Sequence, residues 1–112
     1  MKFLFFLFLL FSLTVHAEFF SGTDIPLMDG MTVDENEGFS FDTPAGQIMT
    51  ISAVSTSSKK EILDFYKESL KALGWQQKSD KEYHRDQDEL TLQLTSLKGK
   101  TILKLQLTFA NK

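Results

Sequence analysis

The sequence has no cysteine, and it is poor in proline and histidine. Of its 112 residues, 2 are proline and 2 are histidine. The absence of cysteine excludes disulfides, thiol chemistry and cysteine-ligated metals, so a domain of this size has to be stabilised by packing alone. Clusters of lysine and arginine are also missing, and the net charge is −3. This charge balance argues against nucleic acids and anionic lipid surfaces as partners.

A long apolar run occurs only near the N-terminus, at residues 3–13, where ten residues are apolar and one is serine. Lys2 precedes it, and Val15 and Ala17 follow it at small-x-small spacing. A positive start, an apolar stretch and such an ending are typical of a secretory signal peptide. We therefore predict a signal peptide at residues 1–17, cleaved after Ala17. Because a membrane-spanning helix needs about 20 apolar residues, a retained anchor is the second interpretation and a buried core segment the third.

Cleavage there leaves 95 residues and, because Lys2 is lost, 11 basic against 15 acidic side chains, a net charge of −4. This length favours one domain. No cysteine follows the predicted cut, which argues against a lipid anchor. We predict that residues 18–38 form an extended N-terminal segment ending in an acidic loop, and that residues 39–112 form a single α+β domain. The apolar side chains predicted to attach the extended segment to the domain are Ile25, Leu27 and Met31.

The clearest predicted element is a helix that begins after Ser58. Ser58 and Glu61 have the spacing of a capping box, in which each side chain accepts a hydrogen bond from the other's backbone amide. Gly74 is placed to end the helix in the left-handed conformation, and Trp75 is placed to pack back on Leu70. One face of the helix is apolar at helical spacing, and it comprises Ile62, Phe65, Tyr66, Leu70 and Leu73.

Alternation of apolar and polar residues predicts six strands around this helix. They lie near residues 39–41, 47–55, 75–79, 82–85, 90–95 and 103–109. The order β-β-α-β-β-β-β predicts an α+β two-layer sandwich, with one helix packed on one face of an antiparallel sheet. The other face is predicted to be solvated or to form a polar contact surface. The predicted core comprises Phe39, Phe41, Met49, Ile51, Ile62, Tyr66, Leu70, Leu73, Trp75, Leu92, Leu94, Leu103, Leu105 and Leu107.

Several of these segments together form a familiar pattern. The run IPLMDGM at residues 25–31, the capping box, and the helix end Phe-Tyr-x-x-x-Leu-x-x-x-Gly-Trp at residues 65–75 are followed by a β-meander. Over residues 25–109 the chain resembles a broad group of small exported bacterial domains and lipoproteins. The resemblance implies the α+β fold and a bacterial periplasmic location. It implies no catalytic residue, and the chain lacks the lipid-bearing cysteine of some members.

Two motifs are candidates for chemistry. The run SSKK at residues 57–60 contains the Ser-x-x-Lys spacing of serine acylases, but that chemistry needs further motifs on a larger fold, and helix capping accounts for Ser58. His84 is the only histidine after the predicted signal peptide. A metal site or general base there is possible in principle, but no second histidine is present and a solvated hairpin is the favoured interpretation. The neighbouring polar residues are Tyr83, Asp86, Asp88 and Glu89.

Two further groups are candidates for binding. Residues 34–38, which read DENEG, contain oxygen ligands suited to calcium. Their glycine comes one position early and no closing glutamate follows, so a solvated acidic loop is the favoured interpretation. Four aromatic residues could line a ligand pocket, but their spacing is typical of a core, and so short a chain leaves little room for a cavity of about 300 Å³. They are Phe65, Tyr66, Trp75 and Phe109.

These observations favour a non-enzymatic, exported protein of the bacterial periplasm or extracellular space, with no catalytic residues, cofactor or metal. The first hypothesis is a protein-binding or accessory module that uses a sheet edge or the polar sheet face, because strand addition is a common mode of recognition. Residues 18–31 could cover one edge, in this molecule or in a neighbour. The alternative is a periplasmic binder of a small molecule or divalent metal, and the third hypothesis is a small hydrolase. Membrane contact is expected only through the uncleaved signal peptide.

Overall fold

The computed structural model describes residues 18–110, so the predicted signal peptide lies outside the described residues. One helix packs against a six-stranded antiparallel sheet, which confirms the predicted α+β two-layer arrangement. In chain order the elements are β1 (Thr32–Thr43), β2 (Gly46–Ser55), α1 (Lys59–Ala72), β3 (Gln76–Ser79), β4 (Glu82–Arg85), β5 (Asp88–Leu97) and β6 (Lys100–Ala110).

The strands lie in the order β1-β2-β6-β5-β4-β3. After β2 the chain passes through α1 to the far edge of the sheet, and β3 to β6 then return strand by strand until β6 pairs with β2. The β2–β6 ladder is continuous from Gly46 opposite Ala110 to Ser55 opposite Thr101. β1 and β3 are therefore the two edge strands of the sheet described here.

Local signals account for both ends of α1. The Ser58 Oγ accepts from the Glu61 amide at 3.1 Å, and the Glu61 Oε1 accepts from the Ser58 amide at 2.9 Å, which confirms the capping box. At the other end Gly74 has φ +91°. Its amide donates to the Lys71 carbonyl at 3.1 Å, and the Trp75 amide donates to the Leu70 carbonyl at 2.9 Å. These two bonds form a Schellman motif, as the sequence predicts.

The core lies between α1 and alternate residues of the central strands. Leu92 of β5, Leu105 of β6 and Ile51 of β2 stand in one row across the sheet, and all are buried. Most of the predicted core is confirmed: Ile51, Ile62, Tyr66, Leu70, Trp75, Leu92, Leu103, Leu105 and Leu107 are buried, and Met49, Leu73 and Leu94 pack partly buried against them. The predicted core omitted Phe20, Ala53 and Tyr83. It also left out Leu90, although the alternation in residues 90–95 places Leu90 on the same face as Leu92, and it gave Ile25 and Met31 only as attachment residues of the N-terminal segment.

The predicted burial of Phe39 and Phe41 is wrong. The two residues are 58% and 46% exposed. Phe39 stands opposite Thr50, and Phe41 stands opposite Ile48. The residues of β2 whose side chains face the core alternate with Thr50 and Ile48 and therefore point to the opposite face of the sheet. Because successive side chains point to opposite faces of a sheet, both phenylalanines lie on the face away from α1, which we call the open face.

The acidic run at residues 34–38 is part of β1 rather than a separate loop. Asp34 pairs with Ser52 and Phe39 pairs with Thr50, so residues 35–38 stand opposite Ile51 alone. We call residues 35–38 the β1 bulge. Inside it, the Asn36 amide donates to the Asp34 Oδ1 at 3.1 Å. A bulge of this kind shifts the phase of the strand that follows it.

Residues 18–31 form a hook that folds over the core and adds no strand to the six-stranded sheet. The hook doubles back at an isolated bridge between Phe19 and Pro26. The Phe20 amide donates to the Ile25 carbonyl at 2.9 Å, and both side chains are buried. The predicted attachment through Ile25 and Met31 is confirmed, and Leu27 packs partly buried beside them.

Candidate functional site

The polar residues near His84 in the sequence do not form one site in the structure, because their side chains have different surroundings. His84 stands opposite Glu89 in the β4–β5 ladder. Tyr83 is buried on the core face, where burial, and secondarily the nearby charge of Asp80, raises the pKa of its hydroxyl. The Asp88 Oδ1 accepts a hydrogen bond from the Ala110 amide at 3.1 Å. Within residues 18–110, no three histidine or carboxylate side chains come together in a way that could hold a metal ion.

The serine and lysine at the start of α1 are engaged in structural contacts. The Ser58 hydroxyl caps the helix, and the Lys60 Nζ lies 2.8 Å from the Asp64 Oδ2. That hydrogen bond raises the pKa of Lys60, and the hydrogen bond from the Ser58 amide lowers the pKa of Glu61. The arrangement is that of a capped, exposed helix terminus.

Two of the four aromatic residues considered for a ligand pocket lie on α1, and one of them contacts the hook. Phe65 and Tyr66 meet edge to face at 4.8 Å, and the Tyr66 Oη donates to the Pro26 carbonyl at 2.9 Å. Burial raises the pKa of Tyr66 above its ordinary value. Trp75 lies under the guanidinium of Arg85, which is 4.4 Å from the ring centroid.

A cavity of about 330 Å³ opens beside Trp75 and Arg85. The Trp75 Nε1 is buried and has no hydrogen-bond partner among the described residues. The Arg85 side chain is already bound to Asp24, whose pKa is lowered chiefly by that hydrogen bond. The other side chains around the cavity are small or apolar and include Ile25, Leu107 and Phe109.

The two edges of the sheet differ in length and in chemistry. β3 has four residues, all exposed, with the sequence QQKS. A short edge that carries a lysine is protected against pairing with another strand. β1 has 12 residues, and beyond its bulge it continues through Phe39 and Phe41. An edge strand of this length offers unpaired backbone groups for strand addition.

The two phenylalanines form one exposed aromatic surface on that edge. Their ring centroids are 5.8 Å apart and the planes are inclined by 15°. Ile48 lies opposite Phe41 and is half-buried. Isolated exposed apolar residues are common on protein surfaces, whereas large contiguous apolar patches mark interaction sites. The two stacked rings form a small patch of this contiguous kind. We call Phe39 and Phe41 the aromatic pair.

The same part of the molecule is strongly acidic. Residues 18–58 contain seven acidic residues and neither lysine nor arginine. Within the described chain the ion pairs are Lys60–Asp64 and Arg85–Asp24, and neither involves β1. The carboxylates of β1 therefore have no cationic partner in residues 18–110, and they are Asp34, Glu35, Glu37 and Asp42.

A second cavity, of about 340 Å³, lies beside the β1 bulge. Met49, Ile51 and Val33 supply apolar walls, and Asp34 and Glu35 stand at the same cavity. Sequence reasoning missed this arrangement, because it depends on the bulge and on which face each strand turns to the helix. The available signal was the adjacency of an acidic run and two phenylalanines at spacing two.

Comparison with known proteins found no matching family model, no matching curated protein and no matching solved structure. None of the helices within residues 18–110 is long and apolar enough to cross a membrane. The fold and the surface together define an α+β two-layer domain whose long edge strand carries an exposed aromatic pair and uncompensated acidic charge.

Proposed function

We propose that this protein is an exported accessory module that binds another protein through β1 and catalyses no reaction. The observation that carries this proposal is the aromatic pair, exposed on an open edge strand. Aromatic side chains dominate the energetics of protein interfaces. Burying the exposed parts of both rings is worth on the order of 2 kcal/mol, and backbone hydrogen bonds along the edge add affinity.

Export is supported by the signal-peptide pattern of residues 1–17 and by the resemblance to small exported bacterial domains. The intact mass of the protein recovered from a bacterial envelope tests this part. We expect the mass of residues 18–112, and a mass that includes residues 1–17 would favour a retained anchor.

Site-specific photocrosslinking tests the binding surface. A photoreactive phenylalanine analogue replaces Phe39 in the full chain, and irradiation takes place in native envelopes. The matched control places the same analogue at Glu68, which is exposed on α1. We expect a discrete crosslinked product from position 39 and none of the same mass from position 68. No product from position 39, or the same products from both positions, would contradict the proposal.

A second candidate function, binding of a small molecule, is favoured by the cavity beside Trp75 and Arg85 and by the unpartnered Trp75 Nε1. Native mass spectrometry after mild purification tests it. A bound species that is retained by the native chain and lost on Arg85→Ala, but not on Phe39→Ser, would support this function over protein binding. An unliganded mass would count against it.

A further inference from the structure

The chemistry of a partner strand can be inferred from what each face of β1 would present to it. This inference rests on the proposed function, because it concerns the same edge. An added strand places every second side chain on one face of the sheet and the others on the opposite face. The two sets therefore meet different surroundings along β1.

On the open face, the added strand meets the aromatic pair. Cross-strand neighbours on one face contact each other directly, and aromatic residues favour aromatic or β-branched partners. The half-buried side chain of Ile48 extends this surface inward from Phe41. Partner residues of this phase are therefore aromatic or aliphatic.

Toward the hook, the added strand meets the cavity beside the β1 bulge, which Ser21 of the hook lines and which also reaches Phe39. Val33 stands opposite Ala53 and faces the core, whereas Asp34 stands opposite Ser52 and has the phase of the open face. The cavity walls combine the apolar side chains of Met49 and Val33 with the carboxylates of Asp34 and Glu35. Lysine and arginine bury an apolar stem while keeping the charged head in a polar setting, and this cavity offers a place for both parts. The uncompensated acidic charge of β1 favours the same residue types.

We propose that β1 recognises an extended segment of another protein in which aromatic or aliphatic residues alternate with lysine or arginine. Pairing of β1 with β1 of a second copy would bury the exposed rings of the aromatic pair. It would also bring two sets of unpaired carboxylates together, because every charged residue of β1 is acidic. Like charges across a strand pair are destabilising, so the basic partner is the favoured occupant.

Synthetic peptides of about eight residues, a typical strand length, test this partner chemistry by calorimetry against residues 18–112. One peptide alternates lysine with phenylalanine or valine, and its control carries glutamate in place of each lysine. We expect saturable binding of the lysine peptide only. Asp34→Asn combined with Glu35→Gln is expected to weaken this binding by about threefold to fivefold, whereas Glu68→Gln on α1 leaves it unchanged.

N-methylation of the peptide tests the strand geometry without altering the protein. In one peptide every odd-numbered backbone nitrogen is methylated, and in the other every even-numbered one. The amides of a strand point alternately to its two edges, so only one of the two methylated peptides loses the amides that face β1. We expect that peptide not to bind and the other to bind as the unmethylated peptide does. Equal binding of both methylated peptides, or equal binding of the lysine and glutamate peptides, would overturn the inference.

The outcomes separate this inference from the proposed function. A crosslinked partner at Phe39 together with no binding of the lysine peptide would refute the basic partner and leave the binding edge in place. Failure of both experiments would remove both proposals. A dimer in sedimentation that is lost on Phe39→Ser would show a second copy to be the occupant instead.

Discussion

Arg85 holds the carboxylate of Asp24 through two hydrogen bonds, from Nη1 to Oδ2 at 2.9 Å and from Nη2 to Oδ1 at 3.3 Å. The same Nη1 donates to the Leu73 carbonyl at the end of α1 at 3.1 Å, and the guanidinium lies over Trp75. One side chain on β4 therefore connects the hook, the helix end and the sheet.

We predict that Asp24→Asn lowers the melting temperature at neutral pH by roughly 1–6 °C, because the side-chain pair is partly exposed. The pKa of Asp24 is lowered in the folded protein by the hydrogen bond from Arg85. A lowered carboxyl pKa stabilises the fold above the unfolded value of about 4, and the contribution is lost as the pH falls through the folded value. The difference between the two proteins is therefore expected to close below about pH 4.

Thermal unfolding followed by circular dichroism over this pH range measures the effect. Asp64→Asn is the control, since Asp64 pairs with Lys60 four residues away on an exposed helix face and connects no separate elements. A difference at Asp24 that stayed constant into strong acid would contradict the assigned role of its charge.

The Tyr66 hydroxyl provides a second contact between α1 and the hook, through the Pro26 carbonyl at 2.9 Å. Tyr66→Phe leaves that carbonyl without its partner while preserving the ring, and we expect a loss of about 1 kcal/mol in the free energy of unfolding. Urea unfolding measures the loss. Hydrogen exchange at the Leu27 amide, which donates to the Glu18 carbonyl, reports whether the hook opens first.

Tyr83→Phe is the matched control for Tyr66. The Tyr83 Oη accepts from the Gln77 side chain at 3.3 Å, and Gln77 is exposed, so water can replace the lost partner. Equal losses from the two substitutions would show that the contact with Pro26 carries no special weight.

The elements that sequence reasoning placed well are those with local signals. The capping box at Ser58 and the glycine at position 74 act within a few residues, so both helix ends follow from the sequence alone. The alternation in β5 and β6 is strict enough to assign the buried leucines, because each leucine row matches one face of the sheet.

The parts that sequence reasoning misplaced depend on contacts between distant residues. The alternation of Phe39 and Phe41 shows that their side chains lie on the same face of the sheet. It does not show which face, because alternate residues repeat with a period of two on both faces. The choice is made by the bulge at residues 35–38, which changes the phase against β2. The burial of Phe20 likewise depends on the fold of the hook against the core, which no local pattern encodes. Binding through a sheet edge or the polar face stays a prediction, and the position of the aromatic pair on β1 follows from the bulge rather than from any local pattern.

Stability measurements distinguish the two placements of the aromatic pair. We predict that Phe39→Ser changes the free energy of unfolding by no more than about 0.5 kcal/mol, as for exposed positions. A buried phenylalanine would cost about 3–5 kcal/mol on truncation. Leu105→Ala in the same sheet is the control for a buried position, with an expected loss of about 2–5 kcal/mol. Urea unfolding of the two variants beside the native protein decides between the placements. Similar losses in the free energy of unfolding would show that Phe39 is buried in the core.

The turn between β1 and β2 depends on Gly46, where the backbone of β6 comes close. Its φ is +149°, and a Cβ at this position would overlap the Phe109 carbonyl oxygen and come 3.0 Å from the Ala110 Cα. These atoms belong to the backbone of the paired strand and cannot move aside as a flexible side chain would. We predict that Gly46→Ala costs roughly 1–3 kcal/mol, as overpacking does, and that it loosens the end of the β2–β6 ladder.

Gly99→Ala is the control, because Gly99 also has a positive φ, +78°, but a Cβ there would meet no atom within 4 Å. That substitution carries only the conformational cost of about 1 kcal/mol. Unfolding experiments give the two losses, and amide exchange near Phe109 and Ala110 locates the effect. Faster exchange at that end in Gly46→Ala alone would tie the loss to the close approach of β6. Equal losses with unchanged exchange would show that the backbone relaxes freely around the added methyl group, and that φ alone explains why glycine occupies position 46.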